Sequence, residues 1–187
     1  MRGKKEIKKI ARQVSHCKKC SLWKTRKNTV AGEGPANAKI IIIGQAPGRT
    51  EDEKGRPFIG RAGKLLNQLL GLAGLKRDKV FITSPLKCFP TPPPNRKPTK
   101  KEIEACLPYL KRQIGAIRPK KIILLGQTPF SLFFPKRKLK DLRGRVIAEN
   151  GKKYFISYHP AAGVRFLKNK KILERDFGKF KKTLRDS

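Results

Sequence analysis

The chain has 187 residues, with 47 Lys and Arg against 13 Asp and Glu, for a formal net charge of +34. That length suits one domain, spanning residues 1–187, with a real core. So one-sided a charge repels itself unless a polyanion offsets it, which points to nucleic acid or else to a generally cationic proteome. No apolar run approaches the ~18 residues of a membrane span, and the charged start "MRGKKEIKKIARQ" lacks the apolar stretch of a secretory signal, so a cytoplasmic protein is expected.

In chain order, residues 4–14 read as a basic helix that leads into "CKKC", with Cys17 and Cys20 at its ends. "KIIIIG" (39–44) is a short β-branched run ending in glycine, the pattern of a buried parallel strand. A glycine-rich loop follows, then a helix over 62–75 with leucines at helical spacing, and a second strand, "VFITS" (80–84). A proline-rich loop, "CFPTPPPNRKPT", hands over to a helix over 100–117, with Thr99 as N-cap and Glu102 as its capping-box partner. "KKIILLG" (120–126) is a third buried strand, followed by the apolar helical stretch "TPFSLFF". Around Asn150-Gly151 the runs "GRVIAE" and "KKYFIS" predict a hairpin, and a basic helix over 167–184 ends the chain. Strands alternating with helices predict an α/β fold: a three-layer α/β/α sandwich around a central, mostly parallel sheet. In such sheets ligands bind at the carboxyl ends of the strands, where the loops after Gly44 and Ser84 and the one beginning at His159 would meet.

Two features carry chemistry. Cys17 and Cys20 form a C-x2-C pair, and Cys88 and Cys106 follow with seventeen residues between them. In a reducing compartment four such cysteines are better read as metal ligands than as disulfides, and four thiolates suit zinc or an iron–sulfur cluster; unrelated buried thiols are the competing reading. The second feature is the loop "GQAPGRTEDEKGRPFIGRAGKLL" that begins at Gly44. It matches neither G-x-G-x-x-G nor G-x-x-x-x-G-K-[ST], and it carries Phe58, an aromatic ring that a phosphate loop does not need.

Taken with "TSPLKC", "NRKPTKKEIEACLPYL" and "YHPAAG", these stretches resemble, in order and over nearly the whole chain, the iron–sulfur (family 4) uracil-DNA glycosylases. The resemblance implies excision of uracil from DNA at the start of base excision repair, by a monofunctional, monomeric glycosylase, and a 4Fe–4S cluster on Cys17, Cys20, Cys88 and Cys106, ranked above zinc. It implies that the loop holds a flipped-out base, with Gln45 and Ala46 beside it, Phe58 stacked on it and His159 donating a hydrogen bond to its O2. An extruded base needs such a ring and such an edge-reader, because unstacking costs a few kcal/mol that the pocket must return.

The chain also departs from the family pattern. The glutamate of "GEAPG" is Gln45, an amide that can orient water but not act as a base, while Glu51 lines up with a family glutamate and stays available. The asparagine that reads the uracil edge falls at Ser84, whose single hydroxyl cannot repeat a two-point contact; Asn95 and Arg96 keep the "NR" motif, two residues further from Cys88 than in the family. Pro85 stands where the family has valine. Arg165 matches the position from which the family inserts a loop into the duplex, and Arg96 and Lys168 are candidates for phosphate contacts. A glycosylase for hypoxanthine or mismatched thymine, or a weakened iron–sulfur DNA-binding protein, are the alternatives.

Overall fold

The computed structural model describes residues 2–93 and 96–185. Helix α1 (Arg2–Ser15) precedes strand β1 (Ile40–Ile43). Next come α2 (Arg49–Lys54), α3 (Arg61–Leu72), β2 (Phe81–Thr83) and α4 (Lys100–Ile117). The second half holds β3 (Lys121–Leu125), α5 (Gln127–Phe133), α6 (Leu139–Leu142), β4 (Val146–Glu149), β5 (Lys152–Ser157), α7 (Pro160–Arg165) and α8 (Leu167–Arg185). The sheet order is β2-β1-β3-β5-β4, parallel throughout except for the antiparallel β4–β5 hairpin. Its turn is the Asn150-Gly151 pair, at φ of 51° and 70°, as a two-residue hairpin loop requires.

Four consecutive isoleucines make β1 apolar on both faces, and the two-residue period divides them between two cores. Ile40 and Ile42, with Ile82, Ile123 and Phe155, pack against Leu66 and Leu69 of α3 and Leu173, Phe177 and Phe180 of α8. Ile41 and Ile43, with Phe81, Ile122, Leu124 and Ile156, pack against Leu110 and Ile117 of α4 and Phe130 of α5. These are the three layers expected. Outside them, α1 lies on α4 through Ile10, Val14 and Tyr109, and Arg112 joins it to Glu6 at 2.6 Å.

The Thr99 capping box forms as read: the Glu102 amide donates to Thr99 Oγ1 at 3.2 Å, and the Thr99 amide to Glu102 Oε2 at 2.8 Å. Helices α2, α6 and α7 were not anticipated; each is a short helix inside a loop, too brief for a hydrophobic period to register. Among the described residues no helix is long and apolar enough to cross a membrane.

β1 has β2 on one side and β3 on the other, so the chain reverses direction across the sheet beside β1. A crevice opens at the carboxyl ends there. The end of β5 is tied down by Asp176 of α8, which is buried and accepts hydrogen bonds from Ser157 Oγ at 3.0 Å and from the Arg143 guanidinium at 2.5 Å. Asp176→Ala takes the acceptor from the buried Ser157 hydroxyl and from the partly exposed Arg143 guanidinium, so a loss of about 1–3 kcal/mol is expected in chemical denaturation; a change below about 0.5 kcal/mol would show that this junction does not hold the strand.

Candidate functional site

A cleft of about 720 Å³ opens where β1, β2 and β5 end. It is lined by Gln45, Ala46, Glu51, Phe58, Ser84, Arg96, His159 and Arg165, so one wall system gathers eight of the residues singled out from the sequence. Lys168 lines a separate groove beside it. Asn95 lies outside the described residues.

Phe58 is buried and sits at φ 50°, in the left-handed region that a bulky side chain avoids. Two glycines make room for it. A Cβ on Gly44 would stand 2.5 Å from the Phe58 ring, and one on Gly63 only 1.9 Å from the Phe58 carbonyl oxygen, which no side chain could tolerate. Arg77, which the sequence reading missed, grips the same turn: its guanidinium donates to the Phe58 carbonyl at 3.1 Å and to the Pro57 carbonyl at 2.6 Å, and it also contacts Glu33. Only the tertiary contact marks it, because an arginine in "LKRDK" carries no local signal.

Glu51 closes the loop from the other side. One carboxylate oxygen accepts from the Ile59 and Gly60 amides at 2.9 and 2.8 Å, and the other from the Gly48 amide at 3.1 Å. Asp52 next to it is buried and takes the backbone amide of Lys27 at 3.0 Å, tying the loop to the segment after the C-x2-C pair. Ser84 is buried too, and its hydroxyl donates to the Leu86 carbonyl at 2.5 Å.

The His159 ring lies against Phe58, with centroids 5.4 Å apart and planes at 27°. Nδ1 accepts from the Ala161 amide at 3.2 Å, capping α7, which leaves the proton on Nε2. That Nε2 is buried and, among the described residues, is the one buried side-chain nitrogen or oxygen without a hydrogen-bond partner. Burial pulls the imidazole down to about 4, against a weaker opposing pull from the Glu51 carboxylate, so the ring is neutral at physiological pH. An orphaned donor of this kind is destabilising by about 1–3 kcal/mol, which a ligand acceptor would return.

Cys17, Cys20, Cys88 and Cys106 line a second cavity, together with Trp23, Arg26, Lys87 and Tyr109. None is in a disulfide. Burial raises the thiols of Cys20 and Cys88 and pushes Cys106 to about 11, with Lys87 opposing the last shift. Arg26 donates toward Cys88 Sγ at 3.5 Å, and Lys18 and Lys19 fold back over the Trp23 and Tyr109 rings at 5.0 and 5.3 Å. Among the described residues no three His, Cys, Asp or Glu side chains converge as ligands of a single ion would. Four thiols around one cavity are the donor chemistry of a thiolate-bound zinc or iron–sulfur centre. Lys87, also missed from the sequence, is fully buried between cavity and cleft; its ammonium donates to Thr83 Oγ1 at 2.6 Å, Gln113 Oε1 at 2.7 Å and the Ser84 carbonyl at 2.8 Å, and desolvation brings it down to about 7.

Residues 31–185 match the family model described as the uracil DNA glycosylase superfamily. A type-4 uracil-DNA glycosylase of Saccharolobus solfataricus is 48% identical over 94% of this chain and 85% of its own length. The type-4 enzyme of Archaeoglobus fulgidus is 44% identical over 91% and 89%, and that of Thermotoga maritima 39% over 92% and 91%.

If Arg77 holds the Phe58 turn, Arg77→Ala should raise hydrogen exchange at the Ile59 and Gly60 amides about tenfold or more, since two charge-assisted bonds to the adjoining carbonyls are lost. Unchanged protection of those two amides would show that Glu51 and the glycines suffice.

Proposed function

The chain belongs to the uracil-DNA glycosylase superfamily, and on that premise we infer that it removes uracil from DNA by hydrolysing the N-glycosidic bond, the first step of base excision repair. The observation that carries this reading is the orphaned His159 Nε2–H beside the Phe58 ring, at the floor of a cleft rimmed by arginines.

A base turned out of the duplex enters the cleft and lies on Phe58, whose fixed backbone presents the ring without reorganisation. As the glycosidic bond breaks, charge gathers on the O2 of the leaving base. His159 Nε2–H meets it. A neutral imidazole is the right donor here, because it stabilises the anion without first being protonated. Such a preorganised donor contributes roughly 3–4 kcal/mol in a water-poor site. Gln45 orients the attacking water through its amide. Glu51, with three backbone amides already on its carboxylate, keeps the loop in shape. The bond breaks ahead of water attack, so a weak base suffices. The Ser84 hydroxyl is engaged by Leu86, which leaves the far edge of the base with fewer protein contacts than an amide would give.

Arg165 stands on the rim beside Val164, Phe166 and Leu167, all exposed. An exposed apolar ridge next to an arginine is suited to entering the stack in place of the departed base. Arg96 also lines the cleft, oriented by two hydrogen bonds to Glu102, and is the candidate there for a phosphate contact.

We also propose that Cys17, Cys20, Cys88 and Cys106 hold a 4Fe–4S cluster in preference to zinc, and that the chain acts as a single-domain monomer. When bound, the cluster supplies a covalent tie between the segment after α1, the loop after β2 and helix α4. Arg26 and Lys87 offset its negative charge from the chain's side.

The reading is tested with oligonucleotides carrying uracil, hypoxanthine or a thymine mismatch under single-turnover conditions: uracil should be cut fastest, and cleavage of another base alone would reject it. His159→Ala should slow uracil cleavage roughly 10²–10³-fold with little change in DNA affinity. Because burial holds the folded imidazole near 4 rather than 6.5, the wild-type rate should stay level as pH falls through 6.5 and drop only toward pH 4, where a proton on Nδ1 breaks its bond to the Ala161 amide and frees the ring; a midpoint at 6.5 would contradict the buried neutral donor. For the cluster, protein purified without oxygen should carry about four irons and absorb broadly in the visible, and Cys106→Ala should lose both. One tightly bound zinc in colourless protein would replace the cluster.

A further inference from the structure

The junction of α7 and α8 divides two grooves. Val164 and Arg165 line the cleft, while Leu167 and Lys168, just beyond, line a second groove of about 660 Å³ with Lys171, Ile172 and Arg175. Between the two stand Phe166 and Leu167, 56% and 69% exposed.

Helix α8 carries the second groove onward. Lys168, Lys171, Arg175, Lys179 and Lys182 recur at steps of three and four, so they share one helical face, and all five are exposed. The stripe spans about 21 Å at 1.5 Å per residue. It contains no acid. Glu174 lies off it, paired with Lys170 at 3.9 Å, and Asp176 points into the core.

We propose that this groove and stripe hold the phosphate backbone of the strand opposite the lesion, so that the apolar ridge stands between the two strands of a duplex. The proposal rests on the glycosylase reading above. The strand that delivers its nucleotide to the cleft runs along the cleft's own cations, Arg49, Arg61, Arg96 and Arg165. Once the ridge enters the stack from that side, the complementary strand lies beyond Phe166 and Leu167, over the groove. Cations placed about one helical turn apart follow a phosphate track, and the aliphatic Ile172 among them suits the sugars between. The protein is thereby built to grip both strands at once.

The test compares the full chain with its Lys171→Gln/Arg175→Gln variant on one uracil oligonucleotide, single-stranded or in duplex. The duplex should bind about tenfold or more weakly to the variant, and the slope of log K on log salt should fall by about 1.8, for two phosphates at ~0.9 each. Single-strand affinity and single-strand cleavage should stay as in the unmodified protein. A Lys5→Gln/Lys9→Gln variant removes the same charge from α1 and should leave the duplex-to-single-strand ratio unchanged. Equal weakening on both substrates would assign the stripe to the lesion strand, and no weakening on either would make it a solvated face; each outcome overturns the proposal. If the unmodified protein binds both substrates but cuts neither, the glycosylase reading fails, and the binding ratio still decides the groove.

Discussion

The site depends on one constraint: the Phe58 ring must lie on a backbone with no side chain beneath it, in a left-handed turn that an aromatic residue avoids. Everything nearby serves that placement. Gly44 removes the Cβ under the ring, Gly63 lets α3 meet the Phe58 carbonyl, Arg77 holds two successive carbonyls, and Glu51 holds the two amides that follow. The strain of the turn is met by hydrogen bonds on both sides, as backbone strain at a functional site must be. His159 then stacks on the ring, and its capping bond to Ala161 decides which nitrogen carries the proton.

A chain this basic has few acids, and those buried in the structure sit where elements join. Asp176 fixes the end of β5, Asp52 ties the loop to the segment after the cysteine pair, and Glu102 both caps α4 and orients Arg96. Most of the lysine and arginine excess stays on the outside, where a polyanion can reach it. A buried positive charge needs acceptors to offset its lost hydration. Lys87 is the clearest case, with three oxygens around its ammonium.

Lys87 also joins the two chemical centres. It follows Ser84 and precedes Cys88 in the loop after β2, bonds back to the strand end and lines the cysteine cavity. The loop that forms one wall of the cleft therefore continues directly into a ligand of the proposed cluster. A tie at the cysteines would restrain the position of Ser84, a geometric coupling that needs no electron transfer.

The sequence alone determined the layered sheet, the hairpin at Asn150-Gly151, the Thr99 capping box and the span of α4, because each is written in a local period or a local pair of side chains. The loop motifs also marked Phe58, Glu51 and His159 as belonging together. Tertiary structure decided the rest. Nothing local says that Arg77 grips the Phe58 turn, that the Ser84 hydroxyl turns to Leu86, that Lys87 is buried, or that His159 Nε2 is left without a partner. These facts depend on contacts between distant segments and on what those contacts shield from water. Periodicity is a property of neighbours along the chain, whereas an unpaired donor or a strained turn is a property of everything packed around it.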